Sequence, residues 1–477
     1  MCRFRANKPL IYWVRLQQTL TFFNNPSHEN DVDAIVSANP VSTTVRLHQP
    51  MHFHVLGIGP IGSLISHHLC KTVDTTKHGI VLIHKTSTQV RKLNSVGNIL
   101  KVEREGVVDT STTFRSEVFE TMSQLRYERK EAGRFARHTL ESQSANGGDL
   151  HAKAEVSLPP HILNTLLPIE SLIVTVKAYT AVEAIKALLP RLSSNSTIVL
   201  LHNGMGVYER LVSDVFRNPE RRPHFIVAAN DHGAWNKDYF HTVHAGIGAV
   251  TFGIVADPRG RNFETPVTDT GVPSQERLQS LDNIMSPKEG DGSPYRSLRN
   301  TVAALSNLSD LNTAWKPIAH VETAMKRKLV VNSVVNPLTA LLGCRNGELL
   351  ETAEARQILK RICSEAAHAF ALQAQEKESG SDKKKRTKFR MGFSRVSPGL
   401  TARALEEECL RVIKVTAGNT SSMLSDVRNG SYTEVDYMNG YLVGLGRSLG
   451  LSMITTLTLS NLVKSRTTIP VDRLFYK

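Results

Sequence analysis

His52-Phe-His-Val-Leu-Gly-Ile-Gly-Pro-Ile-Gly62 is the stretch whose reading decides the fold. Apolar, strand-forming residues run straight into a full G-x-G-x-x-G, and Ile61 to Lys71 follows with a helical pattern. After Gly79, Ile80-Val-Leu-Ile-His-Lys85 reads as a second strand. Strand, glycine loop, helix, strand is one βαβ unit. In that context each glycine has its own role. Gly57 permits the tight turn, Gly59 lets a backbone approach a pyrophosphate, and Gly62 lets the helix pack on the strand. The helix N-terminus attracts the phosphates, and Pro60 is tolerated because early helix positions lack an internal partner for their N–H. Gly57, Ile58, Gly59, Pro60, Ile61 and Gly62 are therefore the expected dinucleotide contacts.

The end of the second strand bears on which dinucleotide. A carboxylate there would accept from a ribose 2′-OH and repel a 2′-phosphate, whereas this sequence has His84 and Lys85. A lysine pairs with a phosphate, so NADPH is expected over NADH, with His84 and Lys85 among the cofactor contacts. Arg91 or Lys92 could serve instead, leaving Lys85 as a solvated strand-end residue.

Outward from this unit, Ser171 to Lys177 reads as a strand, Tyr179 to Leu189 as a helix stopped by Pro190, and Thr197 to Leu201 as a strand entering His202-Asn-Gly-Met-Gly206. Such alternation implies a mainly parallel sheet. Residues 225–255, strand-like with repeated glycines, are expected to close it with an antiparallel section. Insertions are expected near 103–155 and 257–297, where charged, Ser/Gly-rich or Pro/Gly-rich sequence interrupts the pattern. Beyond about Leu311 helical periodicity dominates, broken by a basic loop near 376–396 that holds Lys383-Lys-Lys-Arg-Thr-Lys-Phe-Arg390. The expected fold class is thus α/β plus all-α: an N-terminal Rossmann domain over 50–312, then a helical substrate and dimerisation domain over 313–477.

The chain has 477 residues, 40% hydrophobic and 21% charged, with a net charge of +14. That length supplies ample core, and no apolar run approaches the roughly 18 residues of a membrane span. Residues 1–49 form a basic extension, either a mitochondrial transit peptide or an unstructured leader, so the expected location is mitochondrial or cytoplasmic. Five scattered cysteines without a C-x-x-C pair indicate neither a disulfide framework nor structural zinc. The histidine pairs lack acidic partners at metal-site spacing, so no metal is expected.

Two further constellations carry chemistry. Lys328, Asn332 and Asn336 lie at i, i+4 and i+8, one face of a helix, and asparagine amid Val-Val pairs needs a partner for its amide. A ligand is one such partner. The other reading puts Lys328 on a solvated face with Lys326 and Arg327, and makes Asn336 the cap of a helix broken at Pro337. Farther on, Ser422 and Glu434 precede helical sequence, although Thr433 and Asp436 could equally be a helix-start pair.

Taken in order, the G-x-G-x-x-G, Thr175-Val-Lys-Ala178, His202-Asn-Gly-Met-Gly206, Lys328-Leu-Val-Val-Asn332, Asn336-Pro-Leu-Thr-Ala340, Asn346-Gly-Glu348, Ser421-Ser-Met-Leu-Ser-Asp426 and Glu434-Val-Asp-Tyr-Met-Asn-Gly440 resemble the ketopantoate reductase (2-dehydropantoate 2-reductase) family. The resemblance spans most of residues 53–466 and implies a Rossmann domain followed by a helical domain, with the active site between them. It implies NADPH-dependent reduction of ketopantoate to (R)-pantoate on the route to pantothenate and coenzyme A. Lys328 would be the general acid, Glu434 would orient substrate or lysine, and Asn203 would lie within reach of cofactor and substrate. Asn332 and Asn336 would hold the substrate hydroxyl, Ser422 its carboxylate, and Lys177, Asn203 and Glu434 would border the cofactor. The sequence departs from bacterial members, which typically place an arginine at the His84-Lys85 position, and it adds the insertions and the basic extension. The partner is then a small 2-keto acid, ketopantoate or another branched one. A homodimer is compatible with this reading, and nucleic acid is not an expected partner. The competing reading is a catalytically silent reductase-like protein acting as a mitochondrial or nucleic-acid-associated factor through its basic surface.

Overall fold

A computed structural model describes residues 47, 50–118, 167–264, 279–380 and 397–469. Apart from Leu47, the basic extension 1–49 lies outside the described residues, as do the basic run Lys383–Arg390 and the greater part of the expected 103–155 insertion.

The main sheet has eight strands in the order β12-β11-β8-β7-β6-β1-β2-β5. Its centre is β1 (His52–Leu56), paired in parallel with β2 (Gly79–His84) on one side and β6 (Ser171–Val174) on the other. β7 (Thr197–Leu200) and β8 (His224–Asn230) continue the parallel run, and β5 (Arg115–Val118) adds to β2. β5-β2-β1-β6-β7-β8 is the dinucleotide-binding strand order, with its reversal at β1 and β6. The central strands β2, β6, β7 and β8 are buried along nearly their whole length because both faces of the sheet are covered, whereas the edge strand β5 is not. α1 (Pro60–Thr72) and α4 (Arg296–Ser306) bury one face, and α3 (Ala178–Leu188) buries the other. Between β2 and β5, α2 (Ser87–Ser95) starts with a capping box between Thr86 and Gln89.

The 225–255 segment supplies the expected antiparallel section, but splits it between two sheets. β8 is parallel to β7, and only β11 (Val250–Ile254) runs antiparallel to β8, while β12 (Thr313–Trp315) edges β11 in parallel. The hairpin β9 (Gly233–Asp238) and β10 (His241–Gly246) leaves the main sheet for a second one, β4-β3-β10-β9. β3 (Leu100–Arg104) and β4 (Val107–Ser111) complete it, so residues 107–118 of the expected insertion form β4 and β5. α1 packs against both sheets.

The helical half is built on α5 (Ile318–Leu342), with α6 (Ala353–Gly380), α7 (Ala402–Val415), α8 (Ser422–Arg428), α9 (Asn439–Ser448) and α10 (Ile454–Thr468) around it. α5 does not stop at Pro337. A proline removes the N–H that the Ser333 carbonyl would have accepted, and the fully buried Asn439 replaces it: its Nδ2 donates to that carbonyl at 2.9 Å. Among the described residues no helix is long and apolar enough to cross a membrane.

Buried histidines give the fold a pH limit. Burial, helped by Arg191, takes His54 down to about 3, and burial takes His84 and His224 down to about 4. Their folded forms stay neutral where the unfolded chain, near 6.5, takes up protons.

Two outcomes follow from these contacts. Asn439→Leu should cost about 1–3 kcal/mol in urea unfolding by leaving the Ser333 carbonyl unpaired; an unchanged midpoint would show that the proline gap needs no donor. The urea midpoint of the wild-type chain should also fall as pH drops from about 6.5 towards 4, because in that window the unfolded state binds more protons. A flat profile there would mean that these rings are not held neutral.

Candidate active site

The site lies where the helical half meets the carboxyl ends of β1, β6, β7 and β8, the place where parallel sheets of this kind bind ligands. At β1, Gly57 has φ +95 and donates its N–H to the Ile83 carbonyl at 3.1 Å, a backbone conformation that suits glycine. A Cβ on Gly62 would come within 2.0 Å of the Gly57 carbonyl oxygen, so the α1 packing requires glycine there too. A Cβ on Gly59 would meet nothing within 4 Å. The middle glycine thus faces open space at the start of α1, which fits close approach of a pyrophosphate. At the end of β2, Lys85 is exposed and no acid precedes α2. His84 turns inward instead: it lies edge-on to Phe240 with ring centroids 5.8 Å apart, 3.3 Å from Ser116 Oγ, and burial keeps it neutral. Of the two residues expected to meet a 2′-phosphate, only Lys85 offers an exposed charge.

The neighbouring strand ties the glycine turn to the helical half. Thr175 Oγ1 donates to the Gly57 carbonyl at 2.6 Å. Two residues on, Lys177 precedes α3 and pairs with Asp426 of α8 at 2.8 Å and with Glu434 at 3.5 Å. Glu434 is 3% exposed, and its Oε1 accepts the Ala178 N–H at 2.9 Å, one of the donors that the first turn of α3 leaves unpaired. Burial raises the Glu434 pKa, with Lys177 and the Ala178 N–H opposing. For Lys177, burial alone would lower the pKa, but Glu434 and Asp426 outweigh it and hold it above the ordinary lysine value.

The loop after β7 docks on the turn that follows Glu434. Gly204 has φ +82, a Cβ there would fall 2.4 Å from the Tyr437 carbonyl oxygen, and Met205 N–H donates to that oxygen at 2.8 Å. Asn203 is thereby fixed, half-buried, between the halves. The small cavity of about 120 Å³ lined by His202, Met205, Tyr208, Lys326 and Tyr441 includes none of the glycine-turn residues.

On α5, Lys328, Asn332 and Asn336 share one face, as their spacing predicts. Lys328 Nζ donates to the Asn230 carbonyl at the end of β8 and lies 4.0 Å from Asp231 Oδ1. A quarter of its side chain remains exposed. Burial lowers the Lys328 pKa, while Asp231 and Glu434 act to raise it. Asn336 is buried and its Nδ2 reaches only the Met438 sulfur at 3.7 Å, a weak acceptor that leaves the amide capacity for a ligand. Asn332 is half-buried one turn earlier. Ser422 is exposed at the first turn of α8, whereas its neighbour Ser421 is buried, capping Leu424 N–H at 3.1 Å and lying 2.7 Å from Thr339 Oγ1. Asp231 was not legible as a site residue, because its only signal is its contact with a lysine 97 positions away.

Residues 53–257 match the family model described as ketopantoate reductase PanE/ApbA, and residues 320–467 match that of its C-terminal domain. A 2-dehydropantoate 2-reductase of Yersinia pestis is 27% identical over 321 residues, covering 67% of this chain and 80% of the relative. A protein of Schizosaccharomyces pombe named "Probable 2-dehydropantoate 2-reductase" is 23% identical over 413 residues, 87% of this chain and 95% of its own length. Among solved structures, D-mandelate dehydrogenase in a ternary complex with NADH and anilino(oxo)acetate shares the fold, with a TM-score of 0.56 at 16% identity over 88% of this chain and 99% of the other. With both family models placed in order along a dinucleotide-type sheet and its helical partner, the chain belongs to the ketopantoate reductase family.

Proposed function

We propose that this protein reduces 2-dehydropantoate (ketopantoate) to (R)-pantoate with NADPH, on the route to pantothenate and coenzyme A, with Lys328 as general acid. The observation that carries this reading is that the glycine turn and the amine are both held at the strand ends: Thr175 bonds the Gly57 carbonyl, Lys177 two residues on pairs with Glu434, and Lys328 donates to the end of β8. Family membership and the names of the relatives support the substrate.

A bound reduced nicotinamide supplies the hydride. The chain's own residues handle the charge and the proton. As hydride reaches the ketone carbon, negative charge grows on its oxygen. The Lys328 ammonium stabilises that charge and gives up a proton, leaving an alcohol and a neutral amine. Asn332 and Asn336, on the same helix face, would hold the resulting hydroxyl, and Asn203, in the loop after β7, would lie within reach of cofactor and substrate. The exposed Ser422 hydroxyl would meet the substrate carboxylate. Glu434 anchors the arrangement through Ala178 and Lys177. Lys85 would pair with the 2′-phosphate, which favours NADPH over NADH.

Lowered by burial, the Lys328 pKa sets the alkaline limit: turnover falls as pH rises through it, since only the charged amine donates. Purified protein should oxidise NADPH when ketopantoate is added. Lys328→Ala should lose about 10²–10⁴-fold in kcat while still binding NADPH in a fluorescence titration. Unchanged turnover would remove Lys328 from the mechanism, and salt-dependent RNA binding by a wild-type protein without turnover would favour the non-enzymatic alternative.

A further inference from the structure

The corner that follows β8 is built more rigidly than a connection between two sheets requires. Asn230, Asp231 and His232 make it. The Asn230 side chain accepts the His232 N–H at 3.2 Å, and the Asp231 N–H donates to the Ala249 carbonyl at 2.9 Å. Gly248 presses against it so closely that a Cβ there would fall 2.4 Å from the Asp231 carbonyl carbon. The His232 ring is held as well. Gly248 N–H donates to its Nδ1 at 3.1 Å, which makes that nitrogen an acceptor, so Nε2 carries the hydrogen and donates to the Leu311 carbonyl at 2.9 Å. His244 Nε2 lies 2.9 Å from the same Nδ1.

This fixed corner presents two groups to α5. The Asn230 carbonyl accepts from Lys328, and the Asp231 carboxylate stands 4.0 Å from the same amine. An aspartate whose side chain is 62% exposed gains nothing from packing, so its place beside a half-buried amine calls for another account. We infer that Asp231 is a positioning residue for Lys328: with the Asn230 carbonyl it holds the amine directed across the end of β8. This rests on the reading of Lys328 as the proton donor.

The surroundings leave Asp231 a distinct part. Two carboxylates act on Lys328, Asp231 from the β8 corner and Glu434 from the helical half. Glu434 is shared with Lys177, which also pairs with Asp426. Asp231 is felt otherwise by Arg411 of α7. Its attraction for the amine opposes the burial that drives the proton off. Because Asp231 is solvated, the effect is the modest one of an exposed ion pair.

The test titrates the amine itself, by pH-dependent acetylation of Lys328 read by mass spectrometry in the full chain, alongside the pH profile of kcat. Asp231→Asn should move both the labelling midpoint and the alkaline limb of kcat down by roughly half a pH unit. Asp231→Glu should restore most of the shift. Asp238→Asn, an equal charge change at an exposed site on the second sheet, should move neither. A wild-type titration in Asp231→Asn, or an equal shift in Asp238→Asn, would overturn the inference. If the wild-type protein leaves ketopantoate unreduced while the labelling shift appears, the proposed reaction fails and the pairing of Asp231 with Lys328 stands.

Discussion

A buried carboxylate is the deepest of the ties between the two halves of this protein. Glu434 comes from the helical half, yet the donor it accepts from is the first N–H of α3, and the cation it faces, Lys177, stands at the end of β6. A carboxylate taken out of water is costly unless it is both hydrogen-bonded and paired, and here both demands are met only by the other half. The turn just after it repeats the constraint at the backbone, where Tyr437 accepts from Met205 and leaves no room for a side chain at position 204. Together these contacts fix which part of the helical half overlies the strand ends. That placement brings α5 to the end of β8.

At this junction the geometry depends on α5 remaining one helix. Its polar face carries an amine and two amides in successive turns, and a break at Pro337 would detach the last of them from the first. The side chain of Asn439 repairs the backbone from outside by bonding the Ser333 carbonyl that the proline orphans. A residue of α9 therefore maintains the alignment of Lys328, Asn332 and Asn336 without touching any of them in the contacts described. The alternative reading of the sequence, a helix capped by Asn336, failed for this reason: the proline does cost a hydrogen bond, but the cost is met 106 positions away.

That case shows what was legible and what was not. The glycine turn could be read because its requirements are local: a positive φ at Gly57, open space at Gly59 and close packing at Gly62 all concern residues within a few positions or an adjacent strand. The i, i+4, i+8 face of α5 is likewise a property of one helix. The second sheet was not legible, since β3, which carries β4 on its other edge, finds its partner in β10, about 140 residues later, and half-exposed short strands resemble loop sequence. His84 was read as a cofactor contact at a strand end, but its partners Ser116 and Phe240 come from β5 and from the turn before β10, and burial among them keeps it neutral. Period-2 patterning says which residues point inward only once the layers on each face are known.

The same competition between burial and charge governs the amine. In the proposed reaction the Lys328 amine must be desolvated enough to give up its proton readily, yet charged when the substrate arrives. Burial alone would satisfy the first demand and defeat the second. The structure sets two carboxylates against it, one buried and already engaged with Lys177, one exposed on a rigid corner. The buried one loses influence as other cations share it, whereas the exposed one loses influence to water. Neither suffices to cancel the burial, and the Lys328 pKa accordingly stays below that of a free lysine while Lys177, more closely paired with Asp426 and Glu434, is held above it. Two lysines near one glutamate thus acquire opposite tendencies: the more closely paired keeps its proton and anchors the halves, and the less closely paired can part with its own.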